Sequence, residues 1–505
     1  MIHKDSIRSS PMSFALIAGL ALSLIAAPTG GAATFTVNIQ SDSHDSNPGD
    51  GVCSDTSGLC SLRAAIEESN AMPEFPPEII ILPSGTYTLT LGVLEITSSL
   101  NLNGTGADLT IIDGNRNSGI FLISNTGANP IVQISAVTIC NAVGNINFGT
   151  GVRIAQGSSL LLANSVVCEN ADPVGGVGIG NFGFLTLFRS TVRDNQITGG
   201  GGGVTGTGAG LLNGTTGVAE IIESTISNNT GIRGGGISNS GSLDILNSTI
   251  SGNKASVGGG IRNTGVVNIS FSTITDNEAG RVTGEPLENR VGGGIVNFGQ
   301  INIGNSILAG NRQLPPVSGM PFAPPDAPPF SPDGYSVEEF RFTSFRGNVV
   351  GIVNENLDMR DTIFGDTRFD QVGTEEDPLD PRLEGLNFNG GPTMTHALLQ
   401  DSPAIDQGTG VTSAEFFDCP ETDQRLLTRP AGMECDVGAF EFGSLLGDLN
   451  GDSCVSTSDL LILTNEVRAR STDLRFDING DGKVDIADAR FLVLNFTNPR
   501  GVPCP

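Results

Sequence analysis

Two stretches near the carboxy terminus carry the densest chemistry in this chain. Asp448-Leu449-Asn450-Gly451-Asp452-Ser453-Cys454-Val455-Ser456-Thr457-Ser458-Asp459 is the first. Asp477-Ile478-Asn479-Gly480-Asp481-Gly482-Lys483-Val484-Asp485-Ile486-Ala487-Asp488 is the second. Both put oxygen-bearing side chains at positions 1, 3, 5, 9 and 12, the spacing at which a loop wraps a hard cation. The backbone carbonyl of position 7, Cys454 or Lys483, completes each set, so two calcium sites are expected. Position 6 must turn sharply. Gly482 meets that need in the second loop, whereas Ser453 strains the first, which makes the second site the stronger. A lone stretch of this kind reads as an acidic surface turn, but two aligned copies starting 29 residues apart argue for metal. Each leads into an apolar-faced helix, with Leu460, Leu461, Leu463 and Val467 in one and Phe491, Leu492 and Leu494 in the other.

The larger part of the chain is a repeat. Asn-Ser-Thr-Ile-Ser-x-Asn recurs with variations at Asn164–Asn170, Arg189–Asn195, Glu223–Asn229, Asn247–Asn253, Phe271–Asn277 and Asn305–Asn311. The steps between successive units are 25, 34, 24, 24 and 34 residues, so the base period is about 24 with two insertions, at 196–213 and 278–290. One turn, Gly234 to Val257, holds three short alternating stretches, around Ile237, at Leu243–Leu246 and at Thr249–Ser251. Alternation with β-branched residues marks strands, and Gly and Asn take the corners. A leucine-rich repeat lacks its Leu ladder and helical half here, and a propeller blade needs about 40 residues. The fold class that remains is mainly β: a right-handed parallel β-helix of three strands per coil, ending in a small helical module. Stacking then predicts apolar columns inside and Asn ladders at the bends.

The elements around this core follow. Cys60–Ser69 reads as a short helix capping the open end, with Leu62, Ala65, Ile66 and Ser69 on one face and charge opposite. Ile79–Leu82 and Gly85–Leu89 start the first strands. The expected organisation is an export signal (1–33), cap and first coils (34–130), regular coils (131–312), a Pro-rich insertion (313–346), further coils and tail (347–443), and the calcium module (447–505). His3, Lys4 and Arg8 before the apolar run Phe14–Ala27, then Gly31-Ala32-Ala33, have the form of a cleaved signal, too short for a span. The chain is therefore expected outside a bacterial cell or on its surface. Eight cysteines form four sequence pairs, Cys53/Cys60, Cys140/Cys168, Cys419/Cys435 and Cys454/Cys504, and His3, His44 and His396 are too scattered for a zinc site. With 54 acidic and 26 basic residues the formal charge is −28, which argues against a nucleic-acid or anionic-membrane surface.

Motifs at both ends of the β-helix carry a family resemblance. CSLRAAIEESN (Cys60–Asn70) resembles the CSLREA-type motif of bacterial surface β-helix proteins, with Ala64 where that motif has Glu. NGGPTMTHALLQDSPAIDQG (Asn389–Gly408), DQRLLTRP (Asp423–Pro430) and CDVGAFEF (Cys435–Phe442) are similar to the tail of choice-of-anchor Q proteins. The resemblance implies a surface or secreted β-helix with an exchangeable anchoring module, and no particular reaction. The calcium loops resemble a type I dockerin, because position 12 is Asp and no helix precedes the loop. That implies a cohesin-like partner read by positions 10 and 11, which are Thr457-Ser458 and Ile486-Ala487; the two halves differ.

Catalysis is harder to read. Many parallel β-helices cleave polysaccharides, but the galacturonase pattern is absent and glycosidases need a paired carboxylate. Arg189, Arg193, Asp194, Arg233 and Asp244 are the nearest candidates and form no clear set. Asp194 and Asp276 fall at equivalent repeat positions, as a solvated ladder edge would. No Trp and two Tyr leave few stacking platforms for sugar. The favoured expectation is a non-catalytic scaffold with no catalytic residues, binding a polysaccharide or cell-surface ligand. The alternative is a polysaccharide lyase or glycosidase docked to a cohesin.

Overall fold

The computed structural model describes residues 32–72, 76–127, 129–144, 149–172, 177–198, 207–280, 291–314, 332–336, 342–352, 370–409, 415–443, 446–449, 455–471, 473, 476–479, 481–494 and 496. The expected signal up to Gly31, most of the Pro-rich span, and Asn450, Asp452, Cys454 and Cys504 lie outside the described residues.

Alternation decides which side chains enter the core. In Ser242–Leu246, Leu243 and Ile245 are buried while Asp244 faces outward. The same strand pairs in parallel with Val218–Ile222 of the coil before and Val266–Ser270 of the coil after, so Ala219, Leu243 and Val267 stack in one column. Repetition of this register builds three parallel sheets of eleven, nine and eleven strands among the described residues. The three stretches read from one 24-residue turn each supply a strand, Ile237–Asn239, Ser242–Leu246 and Thr249–Ser251. A fourth strand of two residues, Lys254–Ala255, was not expected and pairs with Glu278–Ala279. One continuous apolar core runs from Phe35 to Val350. The chain is a parallel β-helix.

Amide ladders tie the coils together inside the bends. Asn195, Asn229, Asn253 and Asn277 are fully buried, and each Nδ2 donates to the next Oδ1 at 2.9 Å. A second ladder joins Asn181, Asn213, Asn239, Asn263 and Asn297 at 2.8–2.9 Å. Asp194 and Asp276, expected at a ladder edge, occupy a left-handed corner with Asn228, Gly252 and Gly310, at φ between 56° and 73°. Asp, Asn and Gly tolerate that conformation best, which accounts for the residue types found there. Cys140 and Cys168 are cross-coil partners and form a disulfide; Cys53–Cys60 and Cys419–Cys435 are also bonded.

Helix α1 (Leu62–Ala71) caps the first coils, with Ser61 accepting from the Ala64 N–H. Leu62, Ala65, Ile66 and Ser69 are buried as expected, but the charged side is not solvated. Arg63 forks onto Asp42 (2.7 and 3.1 Å), and Glu68 accepts from the Gly49 and Gly51 N–H groups. The segment before the helix folds over it, so α1 is sandwiched.

Two departures concern the later coils. Strands Gly334–Ser336 and Phe342–Ser344 fall inside the span read as an insertion, yet they extend two of the sheets. Beyond Gln371–Val372 the chain stops coiling. Residues 373–443, expected to form further coils, instead fold back along the outside of one eleven-stranded sheet. Gln424 bonds Thr225 and Thr249 (2.9 and 2.6 Å), His396 bonds Ser251 (2.8 Å), and the Ala439 N–H donates to Thr273. Outward residues of that sheet are accordingly half-buried at Thr191 and Arg193 but buried at Thr249 and Ser251.

Replacing Asn253 by Ala should remove four cross-coil bonds and leave buried amide groups unpaired, costing about 2–4 kcal/mol. Urea unfolding of Asn253→Ala beside exposed Lys254→Ala checks this; equal midpoints for the two variants would show that the ladder contributes nothing.

Candidate functional site

Among the described residues the tail covers one sheet and leaves most of the outer face of the other eleven-stranded sheet open, touching it at Gly304 through Phe417. Two side-chain rows run along that face. The first residues of its five-residue strands form an exposed row in which Ile131, Phe184, Val218 and Val266 are apolar, at 61, 53, 39 and 37 % exposure. Beside it runs a polar row, Thr186, Glu220, Asp244, Asn268 and Asn302, in strict cross-coil register. Asn302 donates to Asn268 (2.7 Å), Asn268 donates to Asp244 (2.6 Å), and Thr186 donates to Glu220 at 3.5 Å.

Glu220 and Asp244 are thus directly stacked carboxylates, about 4.8 Å apart along the backbone ladder. Burial, then the charge of Asp244, pushes the Glu220 carboxyl up to about 7. Burial also raises Asp244, opposed by the Asn268 amide. In such a pair both carboxyls hold their protons more tightly than usual, and ionisation of one hinders ionisation of the other, which suits acid–base chemistry. Sequence reading singled out Asp244 and missed Glu220. The signal was present, since Glu220 lies one base period earlier.

The other catalytic candidates do not join this pair. Arg189 is bound to Glu223 (2.6 Å) at the neighbouring corner, and Arg193 to Asp194. Arg233 lies at a different corner, in a bridge column with Thr207, Val257 and Val291. The tail holds another charged cluster, but it is structural: Arg429 is buried between Glu441 (3.2 Å) and the Gly438 carbonyl, and packs over Phe271. Asp423 is chelated by Arg425. Burial and the charge of Glu441 push Asp436 up to about 7. His396, one of the scattered histidines, is a clamp for the tail: it bonds Ser251 and the Glu384 carbonyl (2.7 Å), and burial lowers its pKa.

The calcium module has its own small core of Val455, Leu463, Ile478, Ala489 and Leu492. Leu461 and Leu494, expected on the apolar faces, are exposed at 61 and 84 %. Helix α2 (Thr457–Ala469) starts with a capping box between Ser456 and Asp459, and α3 (Ile486–Leu494) follows the second loop. In that loop Asp477 accepts from the Asp481 and Gly482 N–H groups, and Asp488 from Asn479 and Asp485, with Gly482 at φ 80°. The turn therefore gathers Asp477, Asp481 and Asp488, and burial with that crowding pushes Asp477 up to about 7. Among the described residues no three His, Cys, Asp or Glu side chains close into a metal cage. The oxygens nonetheless suit a hard cation, which would relieve their mutual repulsion. Of the first loop, Asp448, Ser456 and Asp459 are described, and Asp459 accepts from the Leu449 N–H at 2.8 Å.

Residues 446–495 match the dockerin type I domain family. The carboxy-terminal module is a type I dockerin. Dockerins of this type bind calcium. Elsewhere the likenesses are partial. A stretch of 102 residues is 47% identical to "Ulvan lyase, long isoform" of Pseudoalteromonas sp. (strain PLSV), covering 19% of this chain and 10% of that protein. The protein of the same name in Alteromonas sp. (strain LOR) is 47% identical over 57 residues, 11% and 6% of the two chains. This chain spans a tenth or less of the length of these curated relatives. The solved structure of pectate lyase Pel9A overlays with a TM-score of 0.38 and 14% identity, covering 81% of this chain and 97% of that one. No helix among the described residues is long and apolar enough to cross a membrane.

The Glu220 carboxyl keeps its proton to about pH 7 in the fold, against an ordinary value of 4.5. Its contribution to stability is complete below about pH 4.5 and is lost as pH rises through 7. Glu220→Gln should match the parent near pH 4 and exceed it by about 1–2 kcal/mol at pH 8. Chemical unfolding at both pH values checks this, and parallel pH profiles would contradict it.

Proposed function

We propose that this chain is an extracellular, polysaccharide-degrading β-helix carried into a larger assembly by its dockerin. The observation that carries the reading is the stacked Glu220–Asp244 pair on the uncovered sheet, flanked by the exposed row of Phe184, Val218 and Val266. A sugar chain lying along that face would meet apolar and polar rows side by side, as carbohydrate ring faces and hydroxyls require. One carboxylate takes a proton from the sugar carbon next to a uronate carboxyl, and the protonated partner gives its proton to the departing glycosidic oxygen. That is elimination, the class named for the ulvan lyase relatives. The same pair could serve hydrolysis, in which water is consumed and a reducing end appears.

The dockerin takes calcium at two sites in this reading. Asp477, Asn479, Asp481, the Lys483 carbonyl, Asp485 and Asp488 hold the stronger one. Asp448, Asn450, Asp452, the Cys454 carbonyl, Ser456 and Asp459 hold the weaker. A cohesin-like protein is the partner, and Ile486, 56 % exposed at position 10 of the second loop, gives it an apolar contact. A non-catalytic display scaffold is the second reading. It is favoured by the hydrogen-bonded polar row, in which no arginine among the described residues joins the carboxylate pair.

Purified protein incubated with acidic and neutral polysaccharides should release unsaturated products, followed by ultraviolet absorbance, or reducing ends. Glu220→Gln and Asp244→Asn should each lower the rate by about 10²–10⁴. Activity that survives both substitutions would remove the pair from the chemistry, and inactivity on every polymer would leave the scaffold. Separately, calcium should raise the melting temperature of the dockerin. Asp477→Ala should abolish more of that rise than Asp448→Ala, and the opposite order would reverse the ranking of the two loops.

A further inference from the structure

We infer that the coil corner shared by Arg233 and Arg262 binds the anionic group, a carboxylate or a sulfate ester, of an acidic polysaccharide. The proposal concerns a second face of the helix, away from Glu220 and Asp244, and does not depend on catalysis there.

The argument starts from charge. Acidic residues outnumber basic ones by 54 to 26, so an arginine in this chain has carboxylates to spare. Arg63, Arg189, Arg193, Arg382, Arg425 and Arg429 each take one. Arg233 and Arg262 have no carboxylate at ion-pair distance among the described residues. Register nevertheless brings them together. Arg233 sits between Thr207 and Val257 in a cross-coil bridge column, just before the left-handed turn at Gly234. Arg262 stands in the next coil opposite Ser238, just past the matching turn at Gly258. Both are half-buried. The Arg262 guanidinium lies over the Phe298 ring at 5.3 Å, and Phe298 follows the strand of the coil after. Burial, and the nearby charge of Arg233, lower the Arg262 pKa.

Two like charges at one partly desolvated corner, with no counter-charge among the described residues, cost stability unless an anion completes them. The planar fork of arginine matches a carboxylate or sulfate through two parallel N–H donors. Phe298 fixes the plane of one fork. Location supports a binding role over a packing one. The two ten-residue insertions rejoin the coils at Thr207 and Val291, which belong to the same column as Arg233. The site thus lies at the corner where the chain departs from its regular period.

Isothermal titration of the full chain with polygalacturonate, a sulfated galactan and neutral galactan tests this. The acidic polymers should bind, with affinity falling as salt rises, and the neutral one should not. Which acidic polymer binds more tightly separates carboxylate from sulfate. Arg233→Gln and Arg262→Gln should each weaken binding by about tenfold, and Arg262→Lys, which keeps charge but loses the fork, by less. Should Arg262→Gln fail to fold, Arg233→Gln at the half-buried corner carries the test. Absence of binding to both acidic polymers overturns the inference, as does binding unchanged in Arg233→Gln. Met433→Ala, at an exposed tail position outside both faces, should bind the acidic polymers as the parent does.

Discussion

The interaction on which the rest depends is the hydrogen-bonded stacking of one coil on the next. Every backbone N–H and C=O in a strand points along the helix axis to a neighbouring coil, so the register of one coil dictates the register of all. Buried asparagines lock it: a slip by one residue would break both the Asn229–Asn253–Asn277 amide ladder and the apolar columns beneath it. Strict register also explains how Glu220 comes to sit directly against Asp244. The stacked carboxylates are a consequence of the repeat, and their raised proton affinity follows from placing two acids in one column on a half-buried face.

The repeat was legible because the residues that stack are the same residues. Ser, Asn and Ile recur at a fixed interval since each must meet its copy in the next coil, and the interval alone excluded a propeller. The fourth strand, Lys254–Ala255, was missed because two residues are too few to show alternation. The tail was misread for a different reason. Its partners are remote in sequence, Gln424 with Thr225 for instance, and short apolar runs broken by Gly and Pro look alike in a coil and in a strap. Arg63 and Glu68 misled likewise: a charged face on a short helix suggests solvent, but here local backbone amides and Asp42 satisfy it in the interior.

The proposed function rests on which faces the tail leaves free. By covering the sheet that carries Thr249 and Ser251, residues 373–443 seal one side of the helix with His396, Gln424 and Arg429. The opposite long sheet keeps its apolar and polar rows in the open. A third face bears the arginine corner. The dockerin has a separate apolar core of its own, so the proposed attachment and the proposed sugar contact fall to different folding units. The dockerin was legible because its two loops repeat one spacing of oxygen-bearing residues, whereas a site spread over adjacent coils is visible only once the period is applied.

The central claim is that the open long-strand face is where sugar lies. Hydroxyl-radical footprinting with and without a bound oligosaccharide tests it most directly. Protection of Phe184, Val218 and Val266, with the exposed tail residue Met433 labelled equally in both states, is the expected result. Protection confined to the tail, or unchanged labelling along the Phe184–Val266 row while the sugar is bound, would contradict the account.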